Sequence, residues 1–154
     1  MPELKGEEKI SATQDRVWEL LSDPLKVGEC IPGAKNIQPV DQDTFKADVT
    51  VAVGFIKNNY KVTVSTVEKS PPEKARLRIT GQGGGSNLSA EALVTLRPEG
   101  QSTILSYSSN VTIGGPLAGL GSRFVNGTAE KVLKELFACI KQKLETDGSQ
   151  PKSN

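Results

Sequence analysis

Few residues in this chain of 154 residues could carry catalysis. It contains no histidine, which excludes histidine acid–base chemistry, Ser-His-Asp and Cys-His nucleophiles, and most zinc sites. The carboxylates of Asp48 and Glu91 fall on the outward phase of predicted strands. The loop Gly81–Gly85 lacks the Lys-Ser/Thr pair of a phosphate loop and joins two predicted strands. The sequence therefore predicts no enzyme, with no metal site and no covalent cofactor.

Composition favours a cytoplasmic chain that does not bind nucleic acid. The N-terminus is charged, unlike a signal peptide, and no apolar run is long enough to cross a bilayer. The formal charge of +1, from 19 basic and 18 acidic residues, gives no electrostatic reason to expect nucleic acid. Cys30 and Cys139 form no metal motif. We expect both to be small buried hydrophobic residues without a disulfide, because disulfides are rare in the cytoplasm.

The first half of the chain predicts one strand, two short helices and then further strands. Residues 3–10 alternate weakly, and Ser11 with Gln14 fits a capping box for a helix over residues 13–22. Asp23-Pro24 begins a second helix that ends at Cys30. Apolar residues then alternate with polar ones in successive runs that are separated by turns. The first of these turns is predicted over Gly54–Asn59. These runs cover residues 44–53, 60–66, 75–79, 88–96 and 103–113.

The last part of the chain predicts one long amphipathic helix, from about Leu117 to about Glu145. A single helix after an antiparallel sheet must lie on that sheet, because each needs an apolar partner. We therefore predict an α+β fold in which a curved antiparallel sheet of about seven strands wraps the C-terminal helix. The predicted domain covers residues 1–146, and the polar residues 147–154 are predicted to be a disordered tail.

The apolar stripe of the predicted helix has small residues in its first half and large ones in its second, which predicts a hollow beneath the first half. Small residues such as Ala118 and Gly119 dominate that half, whereas Phe137 and Ile140 belong to a half rich in large residues. Large side chains fill space and small ones leave it, so a small molecule has room to bind between the first half and the sheet. The predicted ligand-binding residues are Val49, Val51, Phe55, Tyr60, Val62, Leu77, Leu88, Leu117, Leu120, Gly121 and Phe124.

Two motifs carry a resemblance to a known family. Cys-Ile-Pro-Gly at residues 30–33 and the segment Gly-Gly-Pro-Leu-Ala-Gly-Leu-Gly-Ser-Arg at residues 114–123 resemble the CoxG family of carbon monoxide dehydrogenase subunits. The resemblance covers about residues 2–145 and implies the helix-grip fold of START-related and birch-pollen-allergen-like proteins. It also implies a non-catalytic companion of molybdenum hydroxylases that oxidise carbon monoxide or related substrates. Such companions are implicated in enzyme assembly or in recruitment to the cytoplasmic membrane.

The predicted hollow and the family resemblance together predict a binding protein for an apolar, lipid-like molecule. An isoprenoid quinone would account for both. A hydroxylase recruited to the membrane needs an electron acceptor, and such a quinone does not diffuse freely through water. The expected partners are this ligand and a molybdenum hydroxylase, with peripheral association at the inner face of the membrane. No anchor is expected, because the chain ends in a polar tail. One alternative is a protein-only adaptor without a ligand, and another is a cyclase or hydrolase on the same fold.

Overall fold

The structure is a computed structural model that describes residues 3–53, 56–120 and 122–149. Its chain order is a strand, two short helices, six strands, a 3₁₀ segment and a long helix. The strands are β1 (Glu3–Ile10), β2 (Ala34–Asp41), β3 (Thr44–Val53), β4 (Ile56–Ser70), β5 (Lys74–Gly83), β6 (Ser86–Glu99) and β7 (Ser102–Gly114). The helices are α1 (Gln14–Leu21), α2 (Pro24–Cys30) and α3 (Ser122–Ser149), and the 3₁₀ segment is Pro116–Leu120.

The seven strands form one antiparallel sheet in the order β1-β7-β6-β5-β4-β3-β2. Strands β2 to β7 follow one another as a meander, because each connection is short enough to place consecutive strands side by side. The sheet then pairs its last strand with its first, and α1 and α2 bridge from β1 to β2 at the opposite edge. The predicted fold class is confirmed.

A local cap fixes the start of α2, whereas the cap predicted for α1 is wrong. The carboxylate of Asp23 accepts hydrogen bonds from the backbone N–H groups of Leu25 and Lys26, which fixes the start of α2. Residue Thr13 caps α1 without a side-chain hydrogen bond, so the predicted capping box does not form. Instead, the Ser11 N–H donates to the Glu145 carboxylate and the Gln14 amide donates to a backbone carbonyl of β6. Long-range contacts therefore replace the local cap.

Two turns differ from their sequence interpretation. The sequence predicts Asn58 and Asn59 in a turn, but both belong to β4, where they pair with Val51 and Thr50 of β3. Residues 54 and 55 between the strands lie outside the described residues. The turn between β5 and β6 consists of Gly84 and Gly85, whose φ angles are +60° and +79°. Positive φ at both central residues is what a two-residue type I′ hairpin requires, and glycine adopts it readily.

The predicted C-terminal helix is divided, and it ends four residues later than expected. Its first turn forms the separate 3₁₀ segment, and residue 121 lies outside the described residues. The α-helix begins at Ser122 and continues to Ser149, so its 28 residues span about 42 Å. Residues 147–149 of the predicted tail are thus helical, and residues 150–154 lie outside the described part.

Two separate clusters of buried apolar side chains lie in the described part of the core. The large core cluster joins the second half of α3 to α1, α2 and the ends of β1, β6 and β7, and it includes Phe137, Ile140 and Leu144. Phe137 and Ile140 are buried as predicted, and Leu136 packs against the cluster while partly buried. The small core cluster contains Tyr60 and Leu117, at the other end of the sheet.

The expectation of two free cysteines is wrong. Cys30, at the end of α2, and Cys139, in α3, form a disulfide with a Cα–Cα distance of 5.4 Å. The two residues are 109 positions apart, so their pairing depends on how α2 docks on α3 and leaves no local signal in the sequence. The bond ties the helical layer together beside the large core cluster.

Candidate ligand-binding site

The strand register places the predicted site residues of the sheet on one face. Val49 of β3 lies opposite Tyr60 of β4, and Val62 lies two residues further along the same strand. Val62 faces Gly81 of β5, which in turn faces Leu88 of β6. A Cβ built on Gly81 would lie 3.3 Å from Leu88 Cγ and 3.6 Å from Val62 Cγ2. The side chains of Val62 and Leu88 therefore converge over this glycine.

Four of the predicted ligand-binding residues meet in the small core cluster. Tyr60 and Leu117 are its buried members, and Val51, Val62 and Ile113 pack against them while partly buried. The other predicted residues of the sheet are Val49, which is buried, and Leu77 and Leu88, which are partly buried. Phe55 and Gly121, together with the side chains of Leu120 and Phe124, lie outside the described part of the chain.

Apolar side chains between the two core clusters remain partly accessible. Val64, Leu77, Ile79, Leu88 and Val111 all lie on the inner face, and each is only half-buried. The backbone of α3 comes close to β1 and β3, which lie towards the two edges of the sheet. The inner face is thus covered at its ends by the two clusters, and in between it is covered unevenly, because Phe45, Ala47, Val49 and Ala90 are buried there beside the half-buried side chains.

A glycine-rich corner fixes the 3₁₀ segment against the sheet. The buried hydroxyl of Ser86 accepts a hydrogen bond of 2.9 Å from the Leu117 N–H. Gly115 has a φ of +85°, and a Cβ built on it would lie 2.7 Å from the Ser86 Cα. Only glycine permits this approach without strain. Sequence reasoning identified both glycine-rich segments as turns but missed Ser86, which joins them.

The Tyr60 hydroxyl is unusual among the polar groups that the structure describes in this region. Its side chain is 5% exposed, and within the described part of the chain its hydroxyl has no hydrogen-bond partner. Its ring packs over Gly83 of β5, where an added Cβ would lie 2.7 Å from the Tyr60 Cδ1. Buried polar side chains in native proteins nearly always have a hydrogen-bond partner. The orphan hydroxyl therefore needs an explanation.

Charged groups lie mainly on the outer face, as predicted for Asp48 and Glu91. The Asp48 carboxylate accepts hydrogen bonds from Asn36 at 2.8 Å and from Lys61 at 3.3 Å, and these lower its pKa. Arg78 pairs with Glu91 at 3.1 Å. Both pairs are solvent-accessible surface contacts, which contribute little to stability.

Polar groups do reach the inner face at the end that holds the large core cluster. The Tyr107 ring stacks on Phe137 with a centroid distance of 4.8 Å. Burial, then the nearby carboxylates of Glu8 and Glu130, raise the pKa of this phenol. Glu8 pairs with Leu105 across β1 and β7, so it lies on the inward phase. The weak alternation of residues 3–10 gives no clear phase for Glu8 in the sequence.

The described ranges hold neither a cluster of metal-ligating side chains nor a membrane-crossing helix. Over those ranges, no three His, Cys, Asp or Glu side chains come together as a metal site would require. Among the helices of the same ranges, none has the length and hydropathy needed to cross a bilayer.

Comparison with known proteins gives a family and a fold. A family model for CoxG, a subunit of carbon monoxide dehydrogenase, matches residues 6–145. The search of curated proteins found no match. A conserved protein from Geobacillus kaustophilus is 27% identical, with a TM-score of 0.88 over 94% of this chain and 96% of that chain.

Two further solved structures share the fold at low identity. A START superfamily protein from Mycobacterium smegmatis is 15% identical, with a TM-score of 0.68 over 94% of this chain and 97% of its own. The Zhui aromatase/cyclase from Streptomyces sp. R1128 is 14% identical, with a TM-score of 0.68 over 94% and 93%. Such identities support a common START-like helix-grip fold alone. Because the family model spans nearly the whole chain, the protein belongs to the CoxG family of carbon monoxide dehydrogenase subunits.

Proposed function

We propose that this protein is a non-catalytic carrier for an apolar, lipid-like molecule, with an isoprenoid quinone as the ligand. In this proposal it serves a carbon monoxide dehydrogenase of the molybdenum hydroxylase type, in electron transfer or in recruitment to the inner face of the membrane. The observation that carries the proposal is the inner face of the sheet, where apolar side chains stay accessible between two packed ends.

The accessible stretch supports a recess that an apolar molecule would fill. Val62, Leu77 and Leu88 are large apolar side chains on the helix-facing side of the sheet, yet none is fully buried. Side chains that pack tightly between a sheet and a helix lose nearly all contact with water. A ligand that covered them would gain about 25 cal/mol for each Å² of apolar surface removed from water. Affinity would then need no charged contact.

A quinone fits the family and this apolar surface together. The family name associates the protein with an enzyme that removes electrons from carbon monoxide. Those electrons need an acceptor, and a quinone with an isoprenoid tail is too apolar to diffuse freely through water. A carrier that shields the tail would connect a water-exposed enzyme with a membrane pool. Since the chain supplies apolar side chains here, its role in this proposal is binding and shielding.

A protein-only adaptor is the second candidate, and one observation favours it. Leu25 of α2 is 49% exposed and Val40 of β2 is 55% exposed, and these two elements lie side by side. Exposed large apolar residues on adjacent elements suit a protein contact. A cyclase or hydrolase is a third candidate, supported only by the fold shared with the Zhui aromatase/cyclase.

A thermal-shift titration separates carrier from adaptor. Lipid-free protein would be titrated with a short-tailed menaquinone analogue and with a fatty acid, each at low and high salt. A ligand present at 100 times its Kd stabilises the folded state by about 2.7 kcal/mol, which raises Tm by about 5–10 °C for a chain of this size. Salt should barely change the shift for the quinone, because no ion pair is involved. No shift with either compound would favour the adaptor.

A further inference from the structure

We propose that the Tyr60 hydroxyl donates a hydrogen bond to a neutral carbonyl oxygen at one end of the bound apolar molecule. This inference rests on the proposed carrier function, and it adds the chemical feature by which the protein selects its ligand. The ligand class is an apolar molecule that carries an uncharged acceptor such as a ketone or a quinone carbonyl.

The unpaired hydroxyl is the first reason. The Tyr60 side chain is 5% exposed, and its oxygen finds no hydrogen-bond partner within the described residues. Burying a hydroxyl without a partner costs free energy, and phenylalanine would fill the same space without that cost. A ligand acceptor would satisfy the hydroxyl in the complex, which explains why a phenol stands at this position.

The second reason is that Tyr60 is held by the fold and not by its hydroxyl. Its ring lies over Gly83, where any side chain would collide with it, and its backbone pairs with Val49 of the neighbouring strand. Leu117 packs against it from the 3₁₀ segment, which the Ser86 hydrogen bond fixes in place. The phenol is therefore positioned before any ligand arrives, and little conformational entropy is lost on binding.

The described surroundings of Tyr60 favour a neutral acceptor. The described neighbours of Tyr60 in the small core cluster, Val51, Val62, Ile113 and Leu117, are all apolar. The adjacent Lys61 points to the outer face, where it pairs with Asp48 at 3.3 Å. A carboxylate placed among these neighbours would be buried without a counter-charge, which is far more costly than burying a carbonyl. A carbonyl would leave no unpaired charge.

The test compares two probes and two variants. The probes are a 1,4-naphthoquinone and a naphthalene that carry the same short prenyl tail, so that they differ in the carbonyl groups. The variants are Tyr60→Phe and, as a matched control, Tyr107→Phe, which alters the other tyrosine of the chain, packed against the large core cluster. Affinities would be measured by calorimetry, and the Tm of each ligand-free variant would be recorded.

We expect Tyr60→Phe to weaken naphthoquinone binding about 3- to 10-fold, as for loss of one neutral hydrogen bond, and to change naphthalene binding less than about twofold. Tyr107→Phe should leave both affinities unchanged. Ligand-free Tyr60→Phe should melt at the same or a higher temperature than the parent, because an unpaired buried hydroxyl has been removed. A hydroxyl with a structural role would lower that temperature instead.

Three results would overturn the inference. These are an equal loss of affinity for both probes, no loss for the quinone, or a lower Tm for ligand-free Tyr60→Phe. If the parent protein binds both probes and one of these results follows, the carrier function stands and only the role of Tyr60 fails. If the parent protein binds neither probe, the carrier function fails with it.

Discussion

Replacement of Ser86 by alanine should loosen the corner that holds the 3₁₀ segment on the sheet. Its hydroxyl accepts the Leu117 N–H at 2.9 Å, and both residues are buried. Without the hydroxyl, a buried backbone donor loses its partner, which costs about 1–3 kcal/mol of folding free energy. At about 2 kcal/mol, the Tm of a chain of this size falls by about 4–8 °C.

Urea unfolding of Ser86→Ala, with Ser89→Ala as control, would measure this cost. Ser89 lies three residues further along β6 and is exposed, so its replacement should change stability by less than about 0.5 kcal/mol. Faster hydrogen exchange at the Leu117 amide in Ser86→Ala would locate the effect. A Ser86→Ala protein as stable as the control, with unchanged exchange, would show that the corner does not depend on this hydrogen bond.

Three further predictions concern the rest of the fold. Phe137→Ala should lower the free energy of unfolding by about 3–5 kcal/mol, because it opens a cavity in the large core cluster. A loss under about 1 kcal/mol in urea unfolding would contradict that packing. Replacement of Cys30 and Cys139 by serine should cost about 2–4 kcal/mol, because the disulfide restrains a long loop in the unfolded chain. If mass spectrometry finds both thiols free in the purified parent, that expectation fails. The pKa of Tyr107 is raised above the usual phenol value of 10.0. The contribution of this phenol to the free energy of unfolding is therefore complete below pH 10.0 and is lost as the pH rises through the raised pKa. Urea unfolding near pH 11 should therefore show a smaller alkaline loss of stability for Tyr107→Phe than for the parent, and equal losses would argue against the burial of this phenol.

The fold was largely predictable because its signals are periodic. Alternating residues in β3 to β7 and the apolar stripe of α3 each define one buried face, and two such faces must meet. Features that depend on tertiary contacts could not be predicted from the sequence. The cap of α1 was misassigned because Ser11 and Gln14 bond to distant elements, and the disulfide joins residues that only helix docking brings together.

The face of the sheet that carries the candidate site was predictable, but the hydrogen bonding at the site was not. Strand phase alone placed Val49, Tyr60 and Val62 on one side of the sheet, and the strand register agrees. Sequence reasoning treated Tyr60 as one more apolar lining residue. Whether a hydroxyl has a partner depends on every atom around it, so the unpaired oxygen could not be read from spacing. The role of Ser86 could not be predicted for the same reason, since its hydrogen-bond partner lies 31 residues away in the chain.

The most direct test of the carrier function is to locate the ligand by NMR of methyl-labelled protein. A short-tailed menaquinone analogue would be titrated into lipid-free protein labelled at valine, leucine and isoleucine methyl groups. We predict that the methyl signals of Val51, Val62 and Leu117 shift with ligand, because these residues surround Tyr60 at one end of the proposed recess. Signals of Leu105 and Ile140, inside the large core cluster, should stay in place. Shifts confined to exposed outer residues, or no shifts at saturating quinone, would contradict the proposed function.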